Sequence, residues 1–285
     1  MVDPSFAKLL HRVKIDRGLD LSGYKDSFVL RRLQSRLRIL ELDNIDEYSF
    51  YLNKHPEEYE KLLDVLAINV TEFFRDPSLF KVLSSKIMPE LCLMKDKTPA
   101  KVIRLLSAGG ASGEEAYSLA IMIQEALGDR LNEYSISIKM IDIDPDCMLK
   151  VRKGLYAPDR LKNVPSSILS KYFTEEGSLY KVNPEIMSMV KAYRLDLITD
   201  AIPKYFDIIL CRNVLIYFSK ESHSRIFLKL HSALTTGGFL VLGRTETMMG
   251  VNKALFDTFD ARERVYRRKE PNYHFRQPVD IPKAR

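Results

Sequence analysis

Apolar residues recur along this chain with two different periods, and the change between them falls near residue 100. Before it, Leu30, Leu33, Leu37 and Leu40 return at steps of three and four, the spacing of one helix face. Similar spacing predicts helices over 44–54, 57–69 and 76–94, and no stretch up to about residue 90 reads as a strand. Beyond it, short apolar runs alternate with helical patterns: strand 102–106, helix 113–127, strand 136–142, helix 145–153, strand 206–211, helix 220–234 and strand 238–243. That alternation predicts an α/β fold with a parallel sheet covered on both faces. The run 264–268 is one further strand, able to pair antiparallel with 238–243. Residues 154–195 interrupt the pattern with Pro158, Pro165, Gly177 and Pro184. There 179–182 and 189–193 predict short strands of a small hairpin-like insert, either a decorative loop or a partner-binding lobe.

Composition narrows the class. At 285 residues, 46% hydrophobic and 29% charged, the chain has the make-up of a globular protein with room for one large or two smaller domains. Cys92, Cys147 and Cys211 are too few and too scattered for a disulfide framework or a metal site, which favours a reducing, cytoplasmic home. The first residues interleave Asp3, Lys8, His11, Arg12 and Lys14 with apolar ones, unlike a signal peptide. No apolar run approaches the ~20 residues of a membrane span, so no membrane insertion is expected. A net charge of +6 points to an anionic partner. Residues 8–41 concentrate it, with nine Lys/Arg against four Asp/Glu. On the helix of the leucine stripe, Arg31 and Arg38 lie opposite the leucines and Arg32 and Arg36 on a flank. These four arginines are either a solvated face or a docking surface for an acidic partner.

The candidate chemistry gathers at strand ends. The run 102–106 stops at Gly109, Gly110 and Gly113, and the next helix opens with Glu114 and Glu115. Strand, glycine turn and helix is where α/β proteins hold nucleotide-like ligands. Two carboxylates in the first helical turn would repel a pyrophosphate, so a cationic, amino-bearing ligand fits better. Asp142 closes the second strand, where a carboxylate can grip a ribose diol. It lies 33 residues after Gly109, whereas the dinucleotide fingerprint has its acid about 20 residues on. Arg212 and Asn213 follow the strand 208–211, beside the expected crevice, with Tyr217 within reach. The segment 69–77, with Phe73, Phe74 and Arg75 adjacent, reads either as a turn that starts the next helix or as a pocket wall.

Five ordered motifs together resemble the chemotaxis receptor glutamate methyltransferases of the CheR family: Asn69-Val-Thr-Glu-Phe-Phe-Arg75, Ser107-Ala-Gly-Gly-Ala-Ser-Gly-Glu-Glu-Ala-Tyr-Ser118, Asp142-Ile-Asp144, Cys211-Arg-Asn-Val-Leu-Ile-Tyr-Phe218 and Gly237-Gly-Phe-Leu-Val-Leu-Gly243. The resemblance implies a helical N-terminal domain over 1–90 that docks the receptor. It implies a Rossmann-like class I methyltransferase domain over 91–285, with a small antiparallel β-subdomain at about 154–195. S-adenosylmethionine is the implied cofactor and S-adenosylhomocysteine its product. By motif, the resemblance places Asn69, Thr71 and Arg75 at the cofactor and active site, Gly109 at the cofactor, Glu115 by the methionine moiety and Asp142 on the ribose. Arg212, Asn213 and Tyr217 would lie near the transferred methyl, with Arg75 and Tyr217 serving transfer. Asp196-Leu197 stands where the family often has Asn-Leu on the adenine side, and Gly-Gly-Ala-Ser replaces Gly-Cys-Ser-Thr.

The implied partners are the cytoplasmic helices of methyl-accepting chemotaxis receptors, docked by Arg31, Arg32, Arg36 and Arg38 onto a monomer, with no nucleic acid and no metal. The compact connection 174–179, carrying Glu175 and Glu176, resembles the class that works without a C-terminal receptor pentapeptide. Two other readings stay open: a class I methyltransferase acting on nucleic acid or another protein, and a non-catalytic S-adenosylmethionine-binding regulator.

Overall fold

A computed structural model describes residues 3–66, 71–248 and 250–269. The helical stretch comes first. Helices α1 (Pro4–Arg17), α2 (Asp26–Leu40), α3 (Ile45–Lys54) and α4 (Glu58–Leu66) close around Phe6, Leu9, Val13, Phe28, Leu33, Tyr48, Leu52 and Leu62. Each boundary has a local cause. Asp3 accepts from the Ser5 N–H to start α1, and Gly18 ends it at φ 68°. Asn44 and Glu47 cap α3 reciprocally, with Asn44 accepting from the Glu47 N–H and Glu47 from the Asp43 N–H.

The α2 helix presents its leucines inward as its period requires, but its arginines do not form one exposed set. Arg36 is buried and donates to both carboxylate oxygens of Glu58, at 2.7 and 2.8 Å. Tyr48 completes the cluster by donating to Glu58 at 3.1 Å. Arg36 therefore drops out of the expected docking surface. The flank that the helical wheel leaves to it is covered by α3 and α4, and a guanidinium in that position must be paired. Arg31 and Arg38 are exposed, and Arg32 lies half-buried over the Phe28 ring.

The next helical segment runs as α5 (Pro77–Val82), a π turn (Leu83–Ile87) and α6 (Met88–Lys95). Leu79, Phe80, Leu83, Ile87, Met88 and Leu91 pack with Leu105, Leu119 and Ile123 of the α/β core rather than with α1–α4.

The remaining elements are β1 (Val102–Ala108), α7 (Glu114–Leu127), β2 (Ser135–Asp142), α8 (Pro145–Lys153), β3 (Leu155–Tyr156), α9 (Ser166–Tyr172), β4 (Phe173–Glu176), β5 (Leu179–Val182), α10 (Pro184–Ser188), β6 (Val190–Arg194), β7 (Phe206–Cys211), α11 (Lys220–Ala233), β8 (Leu234–Leu242), β9 (Phe256–Asp260) and β10 (Val265–Arg268). They form a seven-stranded sheet of order β6-β2-β1-β7-β8-β10-β9. Its first five strands are parallel, and β10 runs antiparallel to β8 and β9. All six residues of β7 are buried, as a central strand covered on both faces must be. Chain order reverses at β1, between β2 and β7. Ligands of open α/β sheets bind in the crevice outside the strand ends at such a point.

A three-stranded antiparallel sheet, β3-β5-β4, stands beside it. The strand expected at 189–193 is not part of that insert. It forms β6, parallel to β2 with Ile141 opposite Tyr193, because a short apolar run reads the same whether it joins a hairpin or a sheet edge. The partners of β5 are β4 and the two-residue β3.

Candidate active site

At the carboxyl ends of β1, β2 and β7 lies a cavity of about 320 Å³, within the range of small-molecule sites. Its lining includes Thr71, Arg75, Gly109, Glu115, Asp142, Asp196, Leu197, Arg212, Asn213 and Tyr217, residues contributed by five separate stretches of sequence. Asn69 lies outside the described residues.

The floor is built from backbone turns that only certain residues can make. Gly109 adopts φ 75°, and a Cβ added there would stand 2.3 Å from the Val214 side chain. The turn after β7 therefore presses directly on the glycine turn after β1. Four non-glycine residues around the cavity also take positive φ: Phe74 (50°), Asp76 (63°), Ala111 (48°) and Asn213 (58°). Such conformations cost of order 1–3 kcal/mol each and persist only where the surroundings hold them. The holders are visible. Ser118 Oγ accepts the Phe74 N–H at 2.8 Å, and Asp142 Oδ2 accepts the Ala111 N–H at 2.9 Å. Glu246, buried behind the wall, accepts from the N–H groups of Gly243, Asn213, Val214 and Leu215 at 2.7 to 2.9 Å.

One charge relay ties the wall together. Ser107 Oγ donates to Glu115 Oε1 at 2.7 Å, and Arg212 donates to Glu115 Oε2 at 3.1 Å. The same guanidinium pairs with Asp76 and donates to the Arg75 carbonyl at 3.2 Å. Asp76 in turn meets Arg244 at 3.4 Å. The Arg212 side chain is 2% exposed, so its charge is sustained by the two carboxylates it bridges. Glu114 points the other way. It is buried and takes hydrogen bonds from Ser112 Oγ at 2.9 and 2.8 Å, and burial raises its pKa. Of the two helix-start carboxylates only Glu115 belongs to the cavity.

Asp142 accepts from the Ala111 and Asp144 N–H groups, one on each carboxylate oxygen, at 2.9 and 3.1 Å. A further lone pair on each oxygen is left for a pair of hydroxyls. Burial raises its pKa against the pull of those N–H donors. Asp196 opens a turn in which its carboxylate accepts the Ile198 N–H at 2.7 Å and its own N–H donates to Asp200 at 2.9 Å. Lys229 pins that turn through the carbonyls of Leu197, Ile198 and Asp200. Tyr217 ends a short 3-10 turn (Leu215–Tyr217), and its ring lies 5.0 Å from that of Phe28 on α2. Burial raises its pKa, while the nearby charges of Arg32 and Arg75 pull it back. The cavity is thus lined by four carboxylates, those of Glu72, Glu115, Asp142 and Asp196, and by the guanidinium groups of Arg75 and Arg212.

Three contributors escaped the sequence reading: Asp76, Glu246 and Tyr24. Asp76 stands inside a motif already singled out, next to Arg75. Glu246 offers no local signal, since three of its four N–H partners lie 31 to 33 residues earlier. Tyr24 reaches the cavity from the helical region, 85 residues before the glycine turn after β1.

The residues present suit S-adenosylmethionine. A sulfonium and an ammonium favour the carboxylate floor, Asp142 offers a diol its two oxygens, and Gly109 leaves the backbone bare where a Cβ would clash. No group of His, Cys, Asp and Glu able to hold a metal ion occurs among the described residues, and no described helix is long and apolar enough to cross a membrane.

Comparisons with known proteins agree with that chemistry. Residues 69–265 match the family described as CheR methyltransferase, SAM binding domain, and residues 4–67 match its all-alpha domain. The chain is 32% identical over 254 residues to a chemotaxis protein methyltransferase of Borreliella burgdorferi, covering 87% of this chain and 89% of that protein. It is 32% identical over 237 residues to one of Listeria innocua, covering 83% and 87%. With one of Salmonella typhimurium the identity is 30% over 253 residues, covering 86% and 84%. A carboxylate-floored crevice at the switch point of a class I sheet, behind an all-helical unit, thus has its explanation: the chain belongs to the CheR methyltransferase family and is an S-adenosylmethionine-dependent methyltransferase.

Proposed function

We propose that this protein methylates glutamate side chains of chemotaxis receptors, converting carboxylates to methyl esters. The observation that carries the reading is the division of charge across one cavity. Glu115, Asp142 and Asp196 line it together with Arg75 and Tyr217, and the Tyr217 ring packs against Phe28 of the arginine-bearing helix α2. Bound S-adenosylmethionine supplies a methyl group activated by the sulfonium, and its departure leaves S-adenosylhomocysteine. Thr71, Gly109, Glu115, Asp142, Asp196, Leu197, Arg212 and Asn213 would hold it, with Asn69 from the adjoining motif. A glutamate acceptor is already ionised at neutral pH, so the protein has no proton to remove. Arg75 would hold that carboxylate in line, and the protonated Tyr217 hydroxyl would donate to its second oxygen, catalysis by positioning.

The exposed Arg31 and Arg38, with Arg32 beside them, supply a cationic approach for acidic receptor helices. The small sheet adds a second element of the reading. β4 and β5 are joined by the two-residue turn 177–178, with Gly177 at φ 63°, and β4 is an edge strand bearing exposed Glu175 and Glu176. That edge would repel an acidic peptide terminus, which favours methylation without a C-terminal tether. In place of the division expected between residues 90 and 91, we propose one near residues 67–70, where the two family matches meet; α5 and α6 pack with the α/β core and are assigned to the catalytic unit. A monomer acting in the cytoplasm completes the reading.

The test is transfer of labelled methyl from S-adenosylmethionine to a receptor's cytoplasmic fragment, with and without its last five residues. Label that appears on both fragments equally and is released as methanol by base is the expected result. Base-stable label, or label on nucleic acid only, would contradict the ester assignment.

A further inference from the structure

Tyr24 stands at the joint between the helical unit and the catalytic sheet. Its backbone makes an antiparallel bridge with Phe218, and the flanking residues extend the seam. The Lys25 N–H donates to the Tyr217 carbonyl at 2.9 Å, the Ser219 N–H to the Gly23 carbonyl at 2.9 Å, and Lys25 Nζ to the Ile216 carbonyl at 2.7 Å. The ring packs edge-on against Phe218 at 4.8 Å and near Phe28 at 6.1 Å. Its side chain helps to line the cavity described above and a neighbouring one of about 290 Å³, with Leu66 and Ile143 shared between the two.

Tyr24 shares the cavity lining with Asp142 and Asp196. Burial, then the charges of Asp196 and Asp142, raise the Tyr24 pKa, so the phenol stays protonated and remains a donor. Both carboxylates belong to the cavity floor, yet no hydrogen bond joins the hydroxyl to either among the described residues. A donor that lines one cavity with two acceptors and bonds neither is free to serve a polar ligand bound there.

We propose that Tyr24 is a cofactor-contacting residue supplied by the helical unit, whose hydroxyl donates to the adenosine part of the ligand and latches the 21–25 segment to the turn that carries Tyr217. The inference rests on the reading of this cavity as the S-adenosylmethionine site. Linkage then requires that whatever cofactor gains from the seated seam, the seam gains from cofactor. Because α2 begins two residues after Tyr24, the receptor-docking helix and the cofactor would share one joint.

The probe is S-adenosylhomocysteine, titrated calorimetrically into the wild-type protein, Tyr24→Phe and Asp142→Ala. Amide exchange at Lys25 and Ser219 is followed with and without it. Tyr24→Phe keeps the ring against Phe218 and removes only the donor. The expected result is affinity weakened about five- to tenfold, the loss of one buried neutral hydrogen bond. Ligand should slow exchange at Lys25 and Ser219 in the wild type and do so less in Tyr24→Phe. Unchanged affinity in Tyr24→Phe beside weakened affinity in Asp142→Ala would overturn the proposal and leave the cavity reading standing. Unchanged affinity in both would overturn the cavity reading itself. Weakened affinity with wild-type protection at the seam would overturn the latch.

Discussion

Arg36 shows how much a single residue's surroundings decide. Its guanidinium is held by both oxygens of Glu58, which Tyr48 also bonds, and all three side chains are buried. Removing one member of a buried pair strands the other, at about 3–5 kcal/mol. Arg36→Ala should therefore lower the unfolding free energy by that order and shift the urea midpoint down accordingly, whereas Arg31→Ala should leave the midpoint nearly unchanged. Equal midpoints for the two variants would show that the pair is not structural. A helical wheel locates the leucine stripe of α2 but cannot tell which flank a later helix covers, because that depends on α4 arriving from 22 residues away. The cavity residues were legible for a different reason. Glycine turns, a carboxylate ending a strand and an Arg-Asn pair after an apolar run are local patterns, and the sheet topology brings them to one edge. Glu246 has no such pattern, since its role exists only once β7 and β8 lie side by side.

Among the elements, the turns after β7 and β8 form one unit held by Glu246. Its four N–H partners span both turns, and a Cβ on Gly243 would stand 2.7 Å from its Oε2. Glu246→Gln puts an amide N–H where an acceptor is required, leaving donors unsatisfied at about 1–3 kcal/mol. The expected outcome is a lower unfolding midpoint together with weaker S-adenosylhomocysteine binding, because Asn213 and Val214 shape the floor. Unaltered binding would mean that the turn holds its form without the carboxylate. The strand-helix alternation from β1 to β8 was readable because buried parallel strands are short, apolar and punctuated. β6 was misplaced into the insert because edge strands share that signature, and β9 went unseen because two of the five residues in its sequence, Phe-Asp-Thr-Phe-Asp, are acidic.

For the whole molecule, the account joins an arginine-bearing helical unit to a carboxylate-floored cavity through the seam at Tyr24 and Phe218. Docking by exposed charge should weaken as salt shortens the screening length to about 8 Å at physiological ionic strength. The double reversal Arg31→Glu, Arg38→Glu should raise the apparent KM for a receptor fragment several-fold, flatten its salt dependence and leave cofactor affinity alone. A silent double variant with salt-insensitive methylation would reduce that helix face to a solvated surface. The central claim is that the cavity floor holds the cofactor, and Asp142 tests it most directly. Calorimetric titration of S-adenosylhomocysteine into Asp142→Ala should show binding weakened by about 1.5–3 kcal/mol relative to wild type, the loss of charge-assisted hydrogen bonds. Affinity equal to wild type in a folded Asp142→Ala protein would contradict the account.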